Sequence, residues 1–74
     1  MDFSEQIKYV RKKLGMSQED LARALHVSFA TVNRWENGKT RPIKVAVIAF
    51  KDFCQSNGID LQELLITEKS QENI

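Results

Sequence analysis

The apolar residues of this chain recur with the period of an α-helix, and the pattern is interrupted at a few turn residues. Near the start of the chain they are separated by four, three and four positions: Phe3, Ile7, Val10 and Leu14. This spacing places them on the side of a helix that faces a core. We predict a first helix that Ser4 caps and that ends before Gly15, because glycine readily takes the left-handed conformation of a helix C-cap.

Two shorter amphipathic segments follow, residues 17–25 and 28–37, and a hinge at His26-Val27 separates them. Each segment opens with a serine, a preferred N-cap because its hydroxyl oxygen accepts an amide hydrogen bond from the first turn. Helices joined by so short a turn cross at a steep angle, which predicts a helix-turn-helix arrangement. His26 is interpreted as a turn residue in left-handed backbone rather than as a ligand or a general base. Three residues of the first segment are predicted to face the core: Leu21, Ala24 and Leu25.

The second segment has two different sides when successive residues are placed about 100° apart on a helix. The inner side carries Val32, Trp35 and Glu36, and the outer side carries Ala30, Asn33, Arg34 and Asn37, with Phe29 at the N-terminal corner. Arginine can form a bidentate contact with guanine and asparagine with adenine, while an apolar side chain can touch the thymine methyl group. We predict that residues 28–37 enter the major groove of DNA. The predicted base contacts are Phe29, Ala30, Asn33 and Arg34; the alternative is an ordinary solvated helix face.

Glu36 is a carboxylate on the inner side of this segment and therefore requires a partner. Arg11 adjoins the apolar side of the first helix, and its planar guanidinium suits a half-buried ion pair. We therefore predict a structural ion pair between Arg11 and Glu36.

The sequence after Asn37-Gly38, a turn signal, predicts a fourth helix from Ile43 to about Ser56, with Pro42 in its first turn. One face of this helix is broad and apolar: Ile43, Ala46, Val47, Ala49, Phe50, Phe53 and Cys54. Val45 and Ile48 lie on its other side. A helix that is apolar beyond one face is predicted either to contact a second copy of the chain or to be covered by the last helix.

The remaining residues complete a single all-α domain. Residues 61–66 are predicted to form a short fifth helix that packs three leucines into the core, and residues 67–74 form a polar, frayed tail. The predicted domain organisation is a helix-turn-helix DNA-binding domain over residues 1–66 followed by the tail of residues 67–74. A length of 74 residues fits one domain of this kind.

Positive charge is concentrated in the part of the chain that holds the two crossed helices. The whole chain has a net charge of +1, whereas residues 8–44 contain nine basic and three acidic residues, a net charge of +6. A surface that binds a polyanion requires such an asymmetry, although a solvated charged surface is the alternative.

The composition also argues against other classes of protein. Cys54 is the only cysteine, so an internal disulfide is excluded, and without an apolar N-terminal run we expect a cytoplasmic setting. The longest apolar run, residues 45–50, is far below the ~20 residues that span a bilayer. We expect no enzyme, cofactor, metal site or small-molecule ligand, because no nucleophile–base pattern, glycine-rich phosphate loop or metal-ligand spacing occurs.

Two motifs resemble the phage repressor and Cro class of helix-turn-helix regulators, the XRE family: MSQEDLA at residues 16–22 and TVNRWENGKTRP at residues 31–42. The resemblance extends roughly from Ile7 to Leu65. It implies a five-helix lambda-repressor-like bundle that binds pseudo-palindromic double-stranded operator DNA, usually as a homodimer.

The same resemblance implies roles for individual residues. In the family pattern, the glutamine that opens the second helix, Gln18, touches a phosphate and braces a base-reading side chain. The implied phosphate contacts are Ser17, Gln18, Ser28, Asn37, Lys39 and Arg41. The family's arginine–glutamate pair falls at Arg11 and Glu36. This sequence departs from the pattern at His26, where glycine is frequent, and at Phe29 and Ala30, which are polar in many repressors.

These residues together predict a small transcriptional regulator that acts, as a repressor, by occupying its operator. The alternative is a protein-interaction or antitoxin-like module on the same fold. In that case Val45, Ile48 and the tail would matter more than Arg34.

Overall fold

The computed structural model describes residues 2–60, which form four helices and contain no strand. The helices are α1 (Phe3–Lys13), α2 (Gln18–Leu25), α3 (Phe29–Glu36) and α4 (Lys44–Ser56). The all-α prediction is therefore confirmed for the described part of the chain. The predicted fifth helix over residues 61–66 and the predicted tail over residues 67–74 lie outside the described residues.

The capping serines of the two short helices occupy the positions that the sequence predicts. Ser17 Oγ accepts a hydrogen bond from the Asp20 amide at 3.0 Å, and Asp20 Oδ2 accepts one from the Ser17 amide at 3.1 Å. This reciprocal pair is a capping box, which satisfies two amides that the first turn leaves without helical partners. Ser28 Oγ accepts a hydrogen bond from the Thr31 amide at 3.1 Å and so begins α3.

The cap predicted for the first helix is wrong. Asp2, not Ser4, is the N-cap of α1, and its Oδ1 accepts a hydrogen bond from the Glu5 amide at 3.0 Å. The earlier start makes Phe3 the first helical residue, and its ring packs edge-on against Trp35 at 5.4 Å. Ser4 instead donates its hydroxyl proton to the backbone carbonyl of Glu36 at 3.2 Å. Asp2 and Ser4 could each cap a helix, and packing between α1 and α3 selects Asp2.

The core lies between all four helices and is built from their predicted apolar faces. α3 packs against α1 and α2, and α2 packs against α4. Within residues 2–60 the buried apolar residues are Ile7, Val10, Leu21, Ala22, Leu25, Val32, Trp35, Phe50, Cys54 and Ile59. The sequence predicts that Ala24 faces the core, and this prediction is wrong: Ala24 is exposed, because the buried side of α2 passes through Leu21, Ala22 and Leu25.

The fourth helix begins later and buries a narrower face than its sequence predicts. Ile43 is its N-cap, so Pro42 precedes the helix rather than lying in its first turn. Phe50 and Cys54 are fully enclosed, whereas Ile43 and Ala49, both predicted for the broad face, are exposed. The core of residues 2–60 contacts only the side of α4 on which Phe50 and Cys54 lie. Burial raises the pKa of the Cys54 thiol to about 11.

The turn between α2 and α3 contains the one residue other than glycine with positive φ among residues 2–60. His26 is the C-cap of α2 and takes φ 58° and ψ 41°, in the left-handed region that the sequence predicts for it. This conformation lets the amide of Val27 donate a hydrogen bond to the carbonyl of Ala22 at 2.9 Å, which closes the helix. The chain can then reach Ser28 and begin α3 at once.

Replacing His26 by glycine is expected to raise the free energy of unfolding by about 0.5 kcal/mol. A left-handed backbone costs about 1–2 kcal/mol for a residue with a Cβ, and the greater flexibility of glycine in the unfolded chain offsets part of the gain. Urea denaturation measures the change. His26→Val serves as the comparison and is expected to destabilise the domain, because a β-branched residue tolerates positive φ poorly. A less stable glycine variant would contradict this account of the turn.

Candidate nucleic-acid interface

α3 presents two chemically different sides. Val32, Trp35 and Glu36 are buried, whereas Phe29, Ala30 and Arg34 are exposed. The structure therefore turns Trp35 inward and Arg34 outward, as the helical projection predicts. Phe29 keeps 50% of its surface exposed although it is a large apolar residue. Within residues 2–60 the Arg34 side chain makes no hydrogen bond or ion pair, so its guanidinium is available to a ligand.

The inner end of α3 is held to α1 by the ion pair that the sequence places there. Arg11 Nε lies 2.6 Å from Glu36 Oε2, and Arg11 Nη2 lies 3.0 Å from Glu36 Oε1. The two parallel contacts form a bidentate pair, the geometry for which guanidinium is suited. A third donor, Arg11 Nη1, binds the carbonyl of Met16 at 3.1 Å and so attaches the loop before α2 to the same group. The Glu36 side chain is only 4% exposed.

The charge state of Glu36 results from opposing effects on its pKa. Burial by itself raises the pKa of Glu36, because it penalises the charged form. Hydrogen bonds from Arg11 and Gln18, together with the positive charges of Arg11 and Lys8, outweigh burial and hold the pKa of Glu36 below its ordinary value. The same carboxylate raises the pKa of Arg11 through its hydrogen bond. At neutral pH the pair is therefore fully charged.

A chain of hydrogen bonds extends from this ion pair to the outer side of α3. Gln18 Nε2 donates to Glu36 Oε1 at 3.0 Å, and Asn33 Nδ2 donates to Gln18 Oε1 at 3.1 Å. Asn37 Nδ2 then donates to Asn33 Oδ1 at 3.1 Å. This series of hydrogen bonds connects the first residue of α2 with the middle and the end of α3. Nothing in the linear sequence indicates the Gln18–Glu36 bond, because it joins positions 18 residues apart on different helices.

The six residues that the family resemblance assigns to phosphate contacts lie at helix ends or in the following loop. Ser17 and Gln18 are at the start of α2 and Ser28 is at the start of α3, where the amide groups of the first turn favour an anion. The other three lie at and beyond the end of α3 and are all exposed: Asn37, Lys39 and Arg41. Gln18 is half-buried and is the residue of this set that the hydrogen-bond chain engages from two sides.

The described residues contain neither a candidate metal cluster nor a candidate membrane span. No group of three or more histidine, cysteine, aspartate or glutamate residues in the described range is arranged to hold a metal ion. Among residues 2–60 no helix has both the length and the apolar character that crossing a membrane requires.

Two short helices joined by a tight turn, the second exposed along one side, define a helix-turn-helix fold. The model of the helix-turn-helix family matches residues 7–46, just over half of the chain. The chain therefore belongs to this family, and the matching family model is of the XRE type. The resemblance that the MSQEDLA and TVNRWENGKTRP motifs indicate is confirmed.

One relative is named as a transcriptional regulator without a stated sign, and the other is named as a transcriptional activator. The HTH-type transcriptional regulator DicA of Escherichia coli (strain K12) is 40% identical over 55 residues, covering 74% of this chain and 41% of DicA. The HTH-type transcriptional activator BcrR of Enterococcus faecalis is 30% identical over 69 residues, covering 93% of this chain and 32% of BcrR. The chain thus spans less than half the length of each relative. No solved structure matches it significantly.

Proposed function

We propose that this protein binds double-stranded DNA sequence-specifically and regulates transcription, with residues 28–37 lying in the major groove. The observation that carries the proposal is the outer side of α3, where Arg34 is exposed, has no partner among residues 2–60 and lies near the exposed apolar residues Phe29 and Ala30. An α-helix fits the major groove, where each base pair presents a distinct pattern of donors, acceptors and methyl groups. Of the four residues predicted to contact bases, Asn33 differs, because its amide already has partners.

Affinity in this proposal comes from phosphate contacts and specificity from base contacts. The six residues at the helix ends and in the loop position the chain on the backbone, and their cationic members release counterions. Arg34 then reads guanine in a bidentate manner, which contributes about 1–3 kcal/mol of discrimination.

One copy of the chain reads too few bases for strong specificity, so we propose that two copies bind a pseudo-palindromic operator. The two half-sites of such an operator lie about 34–36 Å apart on one face of the duplex. The exposed side of α4 supports a protein contact, since Val45 is 72% and Ile48 is 60% exposed. We further propose repression as the outcome, because a protein that occupies an operator excludes other proteins from it.

Selection of bound sequences from a random DNA pool tests this function. The expected result is a pseudo-palindrome whose half-sites are one helical turn apart, selected at physiological salt. Recovery of unrelated sequences with equal affinity at that salt concentration would overturn the proposal. A promoter reporter carrying the selected site between the promoter elements then distinguishes repression from activation.

The salt dependence of binding gives a separate prediction for the loop cations. Lys39→Ala and Arg41→Ala are each expected to reduce the slope of log Kobs against log salt concentration by about 0.9 per copy, since each removes one phosphate contact. Lys51→Ala is the matched control, because Lys51 is an exposed cation of α4 outside the basic segment. Fluorescence anisotropy at several salt concentrations measures the slopes. Equal slopes for all three variants would show that Lys39 and Arg41 do not contact phosphates.

The exposed side of α4 also favours a second candidate function, that of a protein-interaction module on the same fold. Large apolar groups exposed together frequently mark a protein contact. A Val45→Lys, Ile48→Lys variant separates the two functions. If the chain acts on DNA, the variant keeps base preference and loses cooperative binding to the two half-sites; if the chain acts only through a protein partner, the unmodified chain shows no base preference at all.

A further inference from the structure

Asn33 is half-buried in the middle of α3, and both polar atoms of its side-chain amide have a partner within the protein. Its Nδ2 donates to Gln18 Oε1 and its Oδ1 accepts from Asn37 Nδ2, each at 3.1 Å. A bidentate contact with adenine uses the same two atoms at once, the oxygen as acceptor and the nitrogen as donor. Each atom keeps one further site, the second N–H and the second oxygen lone pair, but this half-buried amide can turn only these toward a base while its two protein bonds are kept.

The carboxylate of Glu36 fixes the direction of these bonds. An ionised carboxylate only accepts hydrogen bonds, so Gln18 must turn its nitrogen toward Glu36 and its oxygen toward Asn33. Asn33 must then turn its nitrogen toward Gln18, which leaves its oxygen for Asn37. Reversing the Asn33 amide would place two oxygens or two nitrogens against each other. The ion pair at the inner end of α3 thus holds the Asn33 side chain in a single orientation.

The exposed residues of α3 that remain for base contacts are chiefly apolar. Phe29 is half exposed at the N-terminal corner, and Ala30 is exposed beside it. Arg34 follows Ala30 by four positions, so the two side chains are neighbours on the helix surface. In the major groove, the group that apolar side chains contact is the C5 methyl of a pyrimidine, which in ordinary DNA marks thymine.

We propose that this chain recognises its half-site mainly through pyrimidine C5 methyl groups, which Phe29 and Ala30 contact, and through one guanine, which Arg34 contacts. Asn33 is a positioning residue in this scheme: it connects α3 to Gln18 and orients the helix but reads no base. The inference rests on the proposed DNA-binding function and names the kind of sequence that it selects.

The test uses the site selected from the random pool and replaces each thymine in turn by uracil, which removes only the C5 methyl group. The expected result is one or two positions in each half-site at which uracil weakens binding about fourfold. This factor corresponds to the free energy that is lost when one methyl group is no longer buried at the interface. Phe29→Ala is expected to abolish the difference between thymine and uracil at its position. Tyr9→Ala, which removes a partly exposed aromatic side chain from α1, is the control and is expected to preserve that difference.

Asn33 is tested with the same set of DNA sites and a double-mutant cycle. Asn33→Ala is expected to weaken binding to every site by the same factor and to leave all base preferences unchanged. Its effect is expected to be non-additive with that of Gln18→Ala, because the two residues act through one hydrogen bond. Thermal unfolding of each variant identifies any loss of folded protein, and affinities are corrected for it.

The outcomes separate this inference from the function on which it rests. Sequence preference that persists with equal affinity for thymine and uracil at every position overturns methyl recognition but leaves the DNA-binding function intact. A change of preference at one A·T pair in Asn33→Ala shows that Asn33 reads adenine and overturns its positioning role. Absence of any sequence preference overturns the DNA-binding function itself, and the inference with it.

Discussion

Arg34→Ala is expected to abolish the preference for one guanine in each half-site and to lower affinity for the preferred operator by about 5- to 150-fold per copy. This range corresponds to the 1–3 kcal/mol that a bidentate arginine–guanine pair contributes to discrimination. The structure supports a direct contact because the Arg34 guanidinium is exposed and has no partner among residues 2–60. Affinities for four operators that differ only at that base pair measure the effect.

Lys39→Ala provides the comparison for this experiment. Lys39 follows α3 in the exposed loop, and its loss is expected to weaken all four operators by a common factor, since phosphates carry no sequence information. If Arg34→Ala also weakened the four operators by a common factor, Arg34 would be a phosphate contact. The base-reading surface would then lie elsewhere on the molecule.

Removal of one partner of the Arg11–Glu36 pair is expected to lower the free energy of unfolding by about 3 kcal/mol, because it leaves the other charge without its partner. A domain of this size has a total stability near the low end of about 5–15 kcal/mol, so the loss is a large fraction of it. Arg11→Ala and Glu36→Ala are both informative, and urea denaturation measures each. Arg23→Ala is the matched control: the Arg23–Asp20 pair has a 3.5 Å separation and both side chains are mostly exposed. Such a surface pair contributes about 0–1 kcal/mol.

The same pair determines how stability depends on pH. Because the folded protein holds the pKa of Glu36 below its ordinary value, the folded state binds this proton less readily than the unfolded chain does. The stabilisation is therefore complete above the ordinary carboxylate pKa and is lost as the pH falls through the lower, folded value. Glu36→Gln is expected to reduce this acid-side loss, and thermal melting between neutral pH and about pH 3 measures it. An unchanged pH profile would show that other carboxylates govern acid unfolding.

Much of the fold can be predicted from the sequence because its signals are local. Ser17 and Ser28 begin their helices, and Gly15 and His26 take positive φ after α1 and at the end of α2. Each of these features depends on a few neighbouring residues and on backbone geometry. The ion pair of Arg11 and Glu36 is predictable for a related reason, since a carboxylate on the apolar side of a helix requires a cation.

The features that the sequence did not predict depend on contacts between distant residues. Asp2 and Ser4 are both suitable caps, and packing of Phe3 against Trp35 and Phe50 selects Asp2. The helical projection correctly places Asn33 on the outer side of α3. It does not show that the Asn33 side-chain amide forms hydrogen bonds with Gln18 and Asn37. A projection of one helix gives the angle of a side chain and contains no information about the neighbouring helix.

Because Cys54 is the only cysteine of the chain and is buried, the reactivity of its thiol reports how frequently the surrounding core opens. Its side chain is fully enclosed and burial raises its pKa to about 11, so at pH 8 it is both inaccessible and almost entirely in the unreactive thiol form. Alkylating reagents can react with Cys54 only after the core around α4 has opened. The labelling rate of the unmodified protein therefore measures how frequently that part of the core opens, and a DNA duplex that binds the closed form slows it.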